Sequence, residues 1–261
     1  MDPWVDRIAR TGYVAKGVVY VTIGVLALRE DLGDAGAATG PVGAMRSIGP
    51  HPLDSALLVV LAVGLVGYAL WKLVQGVMDP DDKGSDAHGI LRRVGYVGSG
   101  LIHGGLAFIA VQSIFGAEDT SEDAMAISTM AYQPPLGQIL VGLVGLVVVG
   151  VGLYQLYAAY GVKFRDELRS DLMSDVEVRW VTFVGCVGTA ARALAIGVAG
   201  AFVVLAAYQF DPSEVRGLGE ALKLIHQQPS GSYMLGAVAV GLIIYGTFMF
   251  LVARYRRIEP A

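Results

Sequence analysis

Three polar side chains, Tyr20, His103 and Arg192, lie inside long apolar stretches and are the strongest candidates for chemistry in the sequence. Arg192 lies seven residues past Gly185 and eleven past Val181, which is roughly 10–17 Å into its stretch if the segment is helical. A guanidinium at that depth keeps its proton and needs an acceptor, a water-filled cavity or an anion. His103 lies at a similar depth, and its imidazole can titrate near neutral pH. We interpret the three residues as a candidate intramembrane polar site.

Two lysines, Lys16 and Lys72, also interrupt apolar stretches, but each lies closer to an end of its stretch. Lys16 is four residues past Gly12, about 6 Å along a helix, and Lys72 is six residues before Met78, about 9 Å. A lysine near a helix end can snorkel, which keeps its ammonium group at the head groups while its carbon chain covers apolar surface. We predict that both ammonium groups reach the inner membrane surface.

The motifs that mark common enzyme classes are missing from the sequence. There is no HExxH, GxSxG or GxxxxGK[ST] pattern, and no pair of carboxylates lies inside an apolar stretch for acid–base work. The single cysteine, Cys186, excludes an intramolecular disulfide, and the four histidines have no metal-ligand spacing. We predict a protein that is not an enzyme and that has no catalytic residue, metal site or cofactor.

The elements that must position these side chains are six apolar segments. The chain has 261 residues, of which 54% are hydrophobic and 16% charged, against roughly 25% charged in soluble domains. A bilayer core about 30 Å thick requires about 20 apolar residues in a helix. Six segments meet or approach that length: Gly12–Leu28, Ser55–Met78, Gly95–Phe115, Gly137–Tyr160, Val181–Tyr208 and Ser232–Ala253. The predicted partner is the lipid bilayer, and the net charge of −4 disfavours nucleic acid.

Basic residues are distributed unevenly between the two sides of the membrane. The loops of one side hold twelve Lys and Arg residues, and those of the other side hold four. Because basic loops stay cytoplasmic, we predict a multi-pass membrane protein with cytoplasmic N- and C-termini. On that side, Phe164, Leu168, Leu172 and Val176 recur at four-residue steps. This spacing predicts an amphipathic helix over Lys163–Val178, or an extension of the fourth span.

The six segments form three tandem repeats of two spans each. Aligning Arg10 with Arg93 superposes the Arg-x-Gly-Tyr sequence of the first copy on that of the second without a gap. In the third copy, the predicted alignment places Gly12 and Gly24 on Gly185 and Gly197, with Cys186 in place of the tyrosine. Units of two spans share one orientation, so their symmetry axis runs along the membrane normal.

The predicted fold is an all-α membrane protein with six transmembrane helices in a single domain over 1–261. Its repeats are 7–80, 90–165 and 179–257, and they form either a pseudo-threefold bundle or a sequential row of hairpins. In this alignment Tyr20, His103 and Ala193 are equivalent, and Arg192 precedes the last by one residue. If the first helix of each repeat faces the axis, Tyr20, His103 and Arg192 converge near the midplane. The alternative is that Arg192 reaches backbone carbonyls or the inner surface, while His103 makes one interhelical hydrogen bond.

These repeats resemble a bacterial membrane family that is catalogued as domain of unknown function 1206. The shared features are three two-span units with Gly-Tyr near the start of the first span, a proline before the second, and glycines within the second. In this sequence they are Gly12-Tyr13, Gly95-Tyr96, Pro52, Pro135 and Pro229. The resemblance covers roughly Arg7 to Arg257. It implies an integral protein of the bacterial inner membrane, and it supplies no activity, substrate or site residue.

Short loops, glycine-rich spans and few polar groups inside the spans favour a non-enzymatic module that binds lipids or other membrane proteins, a second copy of the chain included. The alternative is a transporter or channel for a small solute, an anion or a lipid that uses the site of Arg192, His103 and Tyr20. The second spans have no proline break of the kind that builds midplane sites, which disfavours transport. A water-accessible cavity that reaches Arg192 would favour transport, and a dry core would favour the module.

Overall fold

Six long helices make up most of the chain that the structure describes. A computed structural model describes residues 3–32, 52–80, 82, 84–115, 136–209, 222, 226–227 and 230–256. In chain order the helices are α1 (Pro3–Asp31), α2 (Pro52–Met78), α3 (Ala87–Ile114), α4 (Leu136–Tyr160), α5 (Asp175–Gln209) and α6 (Gly231–Tyr255). Each helix is long and apolar enough to cross a bilayer. The predicted all-α membrane fold with six spans is confirmed.

The six helices follow one another around a ring. The most extensive packing joins the second helix of one repeat to the first helix of the next: α2 with α3, α4 with α5, and α6 with α1. The two helices of one hairpin also pack together in the first and third repeats, α1 with α2 and α5 with α6. Among the described residues, α3 and α4 have no comparable packing. The bundle is a pseudo-threefold ring that is open between α3 and α4.

Small residues at equivalent positions bring neighbouring repeats into close contact. At each of the three interfaces, a Cβ atom added to a glycine would meet a carbonyl oxygen of the facing helix within 3.1 Å. The glycine and the oxygen-bearing residue are Gly246 and Gly17 (2.6 Å), Gly100 and Ala69 (3.1 Å), and Gly152 and Ala193 (3.0 Å). Close backbone packing drives helix association in a bilayer, where lipid supplies no hydrophobic force between helices. The three interfaces of the ring are built alike.

These contacts correct the alignment of the third repeat. Gly17, Gly100 and Ala193 occupy the same place in the first helices of their repeats, and Ala69, Gly152 and Gly246 occupy the same place in the second helices. The predicted alignment of Gly12 on Gly185 is therefore wrong by three residues, nearly one helical turn of about 3.6 residues. In the corrected alignment, Gly12 corresponds to Gly188.

Side chains within the first twelve residues of α1, α3 and α5 bond the last carbonyls of the preceding helix in the ring. The donor and acceptor residues are Arg10 and Ala253 (2.6 Å), Arg93 and Gly76 (2.9 Å), and Cys186 and Ala159 (3.2 Å). The three donors are equivalent in the corrected alignment. The last carbonyls of a helix have no partner within it, so these bonds satisfy acceptors, and the arginines place positive charge at a negative dipole end. We call the end of the bundle that carries these three bonds the basic face.

The connection between α4 and α5 crosses the basic face as two 3-10 turns, Lys163–Glu167 and Ser170–Leu172. The predicted amphipathic helix in this segment is therefore wrong. Between the two turns, Leu168 points into the bundle and is 4% exposed. The backbone N–H of Arg169 donates to the carbonyl of Tyr255 at 2.8 Å, at the end of α6. This backbone bond and the buried leucine anchor an extended bend there, which competes with a continuous helix.

Candidate functional site

A cavity of about 190 Å³ lies between α1, α2, α5 and α6, beneath the connection that crosses the basic face. This is smaller than the roughly 300–1,000 Å³ of pockets for drug-sized ligands. Aromatic and aliphatic residues form most of the wall, with three basic side chains and one acidic side chain among them. The wall residues are Tyr13, Lys16, Tyr68, Lys72, Phe164, Glu167, Leu168, Thr189, Tyr245, Phe248, Met249, Val252 and Arg256.

The two lysines of the wall lie around one tyrosine ring. The Nζ atom of Lys16 donates to the hydroxyl of Tyr68 at 2.9 Å and lies 4.8 Å from the ring centre. The Nζ atom of Lys72 lies 5.6 Å from the same ring centre and donates to Oε1 of Gln75 at 2.8 Å. The lysines are only 7% and 8% exposed. The predicted snorkelling is therefore wrong: polar and aromatic partners inside the bundle hold both ammonium groups in the cavity.

The third basic residue of the wall, Arg256, belongs to an ion pair at the basic face. Its Nη1 atom lies 2.5 Å from Oε2 of Glu167, on the connection between α4 and α5. The guanidinium carbon lies 5.2 Å from the ring centre of Tyr13, whose ring packs edge-on against that of Tyr68 at 5.3 Å. Three basic groups therefore surround two packed tyrosine rings, and Glu167 supplies the acidic group of the wall.

Arg192 joins α5 to three other helices. Its Nε atom donates to the hydroxyl of Tyr20 at 2.7 Å, and its Nη1 atom donates to Oε1 of Gln155. The guanidinium carbon also lies 5.3 Å from the ring centre of Tyr20 and 5.1 Å from that of Tyr245. Of the three residues in the predicted polar site, the structure brings Tyr20 and Arg192 into contact.

The structure holds His103 elsewhere, on α3. Its Nδ1 atom lies 2.8 Å from the carbonyl oxygen of Ser99, one turn earlier in the same helix, and its ring centre is 4.5 Å from that of Tyr68. Neither Tyr20 nor Arg192 is among its hydrogen-bond or ring partners in the described part of the chain. His103 therefore contacts the aromatic wall at Tyr68 and takes no part in the Arg192 contacts.

Repeat symmetry relates the two sets of contacts. Tyr20 packs on Tyr245 with 4.8 Å between ring centres, at the interface of the third and first repeats. In the corrected alignment, His103 and Tyr68 are the counterparts of this pair at the interface of the first and second repeats. The third interface carries aliphatic residues, Ile196 and Val151, at the corresponding positions. The aromatic contact is thus present at two of the three interfaces.

The corrected alignment makes Arg192 the counterpart of Lys16. Lys16, Ser99 and Arg192 occupy one position in the three repeats, and Lys16 contacts Tyr68 as Arg192 contacts Tyr245. The predicted alignment did not show this equivalence. The sequence analysis therefore did not assign Lys16, Lys72, Tyr68 or Tyr245 to the site. A sequence pattern in the second spans of the first and third repeats indicates the equivalence of the two tyrosines. The two tyrosines each follow a glycine by four residues, at 64–68 and at 241–245.

Three segments of the chain, 11–79, 94–161 and 187–256, match the family model described as Domain of Unknown Function (DUF1206). The chain belongs to the DUF1206 family. The resemblance predicted from the sequence is confirmed, together with its three repeats. The DUF1206 segments begin at Thr11, Val94 and Val187, three residues that the helix contacts also make equivalent.

A relative supports the same assignment. The DUF1206 chain is 31% identical over 254 residues to "Uncharacterized protein YxxB" of Bacillus subtilis (strain 168). The aligned region covers 97% of this chain and 92% of the relative. No solved structure matches the chain. Neither the family description nor the name of the relative states an activity.

Two of the basic groups of the DUF1206 site, Lys16 and Arg192, have neutral hydrogen-bond partners. The hydrogen-bond partners of Lys16 and Arg192 in the described chain are neutral tyrosine and glutamine side chains. A buried charge is costly unless it is paired and hydrogen-bonded. An anion in the cavity would offset that cost, while the aromatic wall would exclude water around it.

Proposed function

We propose that this DUF1206 protein is a non-enzymatic membrane module that binds the anionic head group of a lipid in the cavity between α1, α2, α5 and α6. The module lies in the bacterial inner membrane, with the basic face and both termini in the cytoplasm. The observation that supports the proposal most strongly is that three basic residues line one small cavity. They are Lys16, Lys72 and Arg256, and each is at most 8% exposed.

Charge supports an anionic ligand. Three basic wall residues face a single acidic one, Glu167, which already pairs with Arg256. Lysine and arginine are the residues that proteins use to hold phosphate and carboxylate groups. Inside a low-dielectric bundle, their attraction to an anion is stronger than at a solvent-exposed surface.

The opening of the ring supports a lipid as the source of that anion. The helices that line the cavity are α1, α2, α5 and α6. In the part of the chain that the structure describes, α3 and α4 do not pack against each other as the other neighbours do. Large apolar side chains cover both of these helices, among them Leu101, Phe108, Leu143 and Val147, each more than half exposed. An acyl chain can lie along this surface while its head group occupies the cavity.

Mass spectrometry of the native protein tests the proposal. We expect wild-type protein purified in mild detergent to retain about one anionic lipid per chain, and Lys16→Met with Lys72→Met to lose at least about tenfold of it, because two of the three cations are removed. Lys163→Met is the matched control, since this lysine stacks on Tyr157 outside the cavity wall. Equal lipid content in all three proteins would contradict the proposal, provided that gel filtration shows each of them to be folded.

Transport of a small anion or a lipid is the second candidate function. The observation that favours it is the charge at Arg192, which contacts the wall residue Tyr245 and sits beyond the cavity wall. Proteoliposomes separate the two functions. Transport requires that flux of radiolabelled phosphate or of a fluorescent anionic lipid exceed that of empty vesicles and fall with Arg192→Leu. The binding module requires retained lipid and no such flux.

A further inference from the structure

We propose that the connection between α4 and α5 is a lid that opens the cavity toward the basic face. The lid is the segment 163–173, and three of its residues, Phe164, Glu167 and Leu168, form part of the cavity wall. The inference goes beyond the proposed function, because it concerns the way into the cavity and holds for any ligand that binds there.

The repeat architecture does not require so long a connection. The chain passes from α2 to α3 with residues 79–86, whereas it passes from α4 to α5 with residues 161–174. Asp79 and Val162 are equivalent in the repeats, and both have a φ of 51° just after their helices. The added length therefore follows a helix end that the two repeats share. Long connections in compact domains are often lids or binding loops.

The helices on either side of the lid end independently of it. Val162 takes a left-handed backbone conformation just after α4. At the start of α5, the N–H of Ser174 donates to Oε2 of Glu177 at 2.8 Å, and the N–H of Glu177 donates to Oγ of Ser174 at 3.3 Å. This reciprocal pair is a capping box, which satisfies donors in the first turn of a helix. The lid can therefore move away from the cavity without unwinding α4 or α5.

Contacts of three kinds hold the lid closed. The side chain of Leu168 is buried in the bundle, while the other residues of 163–173 are half-buried or exposed. The N–H of Arg169 donates to the carbonyl of Tyr255, and the carboxylate of Glu167 pairs with Arg256. The two 3-10 turns of the lid close on backbone bonds of their own. A segment with one buried residue and local backbone bonds opens at a lower free energy than a packed helix.

A cysteine in the cavity wall reports whether the lid opens. In a Cys186→Ala background, Thr189→Cys places a thiol in the wall, and a membrane-impermeant, negatively charged methanethiosulfonate measures its rate of modification. Adding Leu168→Ala should raise this rate at least about tenfold, because the lid loses its buried side chain. Leu172→Ala, in the same lid at a residue that is 58% exposed, is the matched control and should leave the rate unchanged.

Glu167→Gln tests the lid with a smaller change, and it keeps the test open if Leu168→Ala fails to fold. We expect the rate of Thr189→Cys modification to rise about two- to fivefold, the range for a partly exposed ion pair. The reporter should also react only from the side of the membrane on which Leu172→Cys reacts, because the lid covers the cavity at the basic face.

The outcomes separate the lid from the proposed function. If neither Leu168→Ala nor Glu167→Gln raises the rate in proteins that gel filtration shows to be folded, the lid is overturned. Modification that is equally fast from the opposite side of the membrane overturns it as well. Neither result affects the proposed function, which depends on the lipid retained by the wild-type protein. Absence of that lipid leaves the lid standing when the rates respond as expected.

Discussion

The Nε atom of Arg192 donates a hydrogen bond to the hydroxyl of Tyr20 at 2.7 Å, and this bond ties the third repeat to the first. The same guanidinium reaches Gln155 on α4, so a single side chain connects all three repeats. A charge that deep in an apolar bundle is stable only where its donors find acceptors. The contacts of Arg192 therefore join α1, α4, α5 and α6.

We expect Tyr20→Phe and Arg192→Met to be coupled in their effects on stability. Each removes one partner of the same bond, so the double variant should lose about 0.5–2 kcal/mol less than the sum of the single variants, the range found for interhelical bonds in membranes. Thermal or denaturant unfolding in detergent measures this coupling. Tyr208→Phe, at a residue that is 80% exposed, serves as the neutral control. Additive effects would show that the bond contributes nothing.

Gly246→Ala should weaken the interface of α6 and α1. Its added Cβ would lie 2.6 Å from the carbonyl oxygen of Gly17, a backbone atom that cannot move aside cheaply. The expected cost is about 1–3 kcal/mol of unfolding free energy, as for other overpacked sites. Gly150→Ala is the matched control, because its Cβ would meet nothing within 4 Å, and helix propensity alone then favours alanine. An equal loss of stability in both variants would contradict this account of the interface.

Arg10 and Arg93, which donate to helix ends, should contribute similar amounts to the free energy of unfolding. Arg10 and Arg93 each donate two bonds to the last carbonyls of a neighbouring helix. We expect Arg10→Met and Arg93→Met each to cost about 1–3 kcal/mol, since these bonds involve a charged donor. Cys186→Ala should cost less, because a thiol is a weak and uncharged donor.

Unfolding of the three variants in one detergent allows the comparison of these helix-end bonds. Arg7→Met provides the baseline for the loss of an exposed positive charge. If Cys186→Ala were as costly as either arginine variant, charge could not be what makes these bonds strong.

The orientation of the protein in the membrane can be tested with single cysteines. In a Cys186→Ala background, Leu172→Cys at the basic face should react with a membrane-impermeant maleimide in inverted vesicles and not in intact cells, because basic loops stay cytoplasmic. Tyr233→Cys, near the start of α6, is the opposite control and should react from outside. Both native residues are well exposed, so access does not limit the reaction. A reversed labelling pattern would place the termini outside.

The six helices and three hairpins could be predicted from the sequence, since apolar length and spacing determine them. Glycine spacing in the first helices could not decide the alignment of the third repeat, because two pairs of glycines in α5 share the spacing of Gly12 and Gly24. One pair is Gly185 and Gly197, and the other is Gly188 and Gly200. Residues three apart lie near the same helix face, so the contacts with neighbouring helices identify the second pair as the equivalent one.

Whether the side chains of Lys16 and Lys72 point to the membrane surface or into the bundle also could not be predicted from the sequence. Depth alone is compatible with an ammonium group that snorkels to the surface or one that turns inward. The choice depends on Tyr68 and Gln75, which supply partners inside the bundle. Which helices meet is a tertiary property, and hydropathy does not encode it. The depth of Arg192 was predictable, and its partner Gln155 was not.

The ring joins each repeat to the next more extensively than it joins the two helices of a hairpin to each other. A lone hairpin of this type would therefore leave both of its packing faces exposed to lipid. Covalent linkage of the three hairpins supplies those faces with partners and lets equivalent positions differ: one position holds Lys16, Ser99 and Arg192. A ring of three similar repeats thus encloses an asymmetric interior.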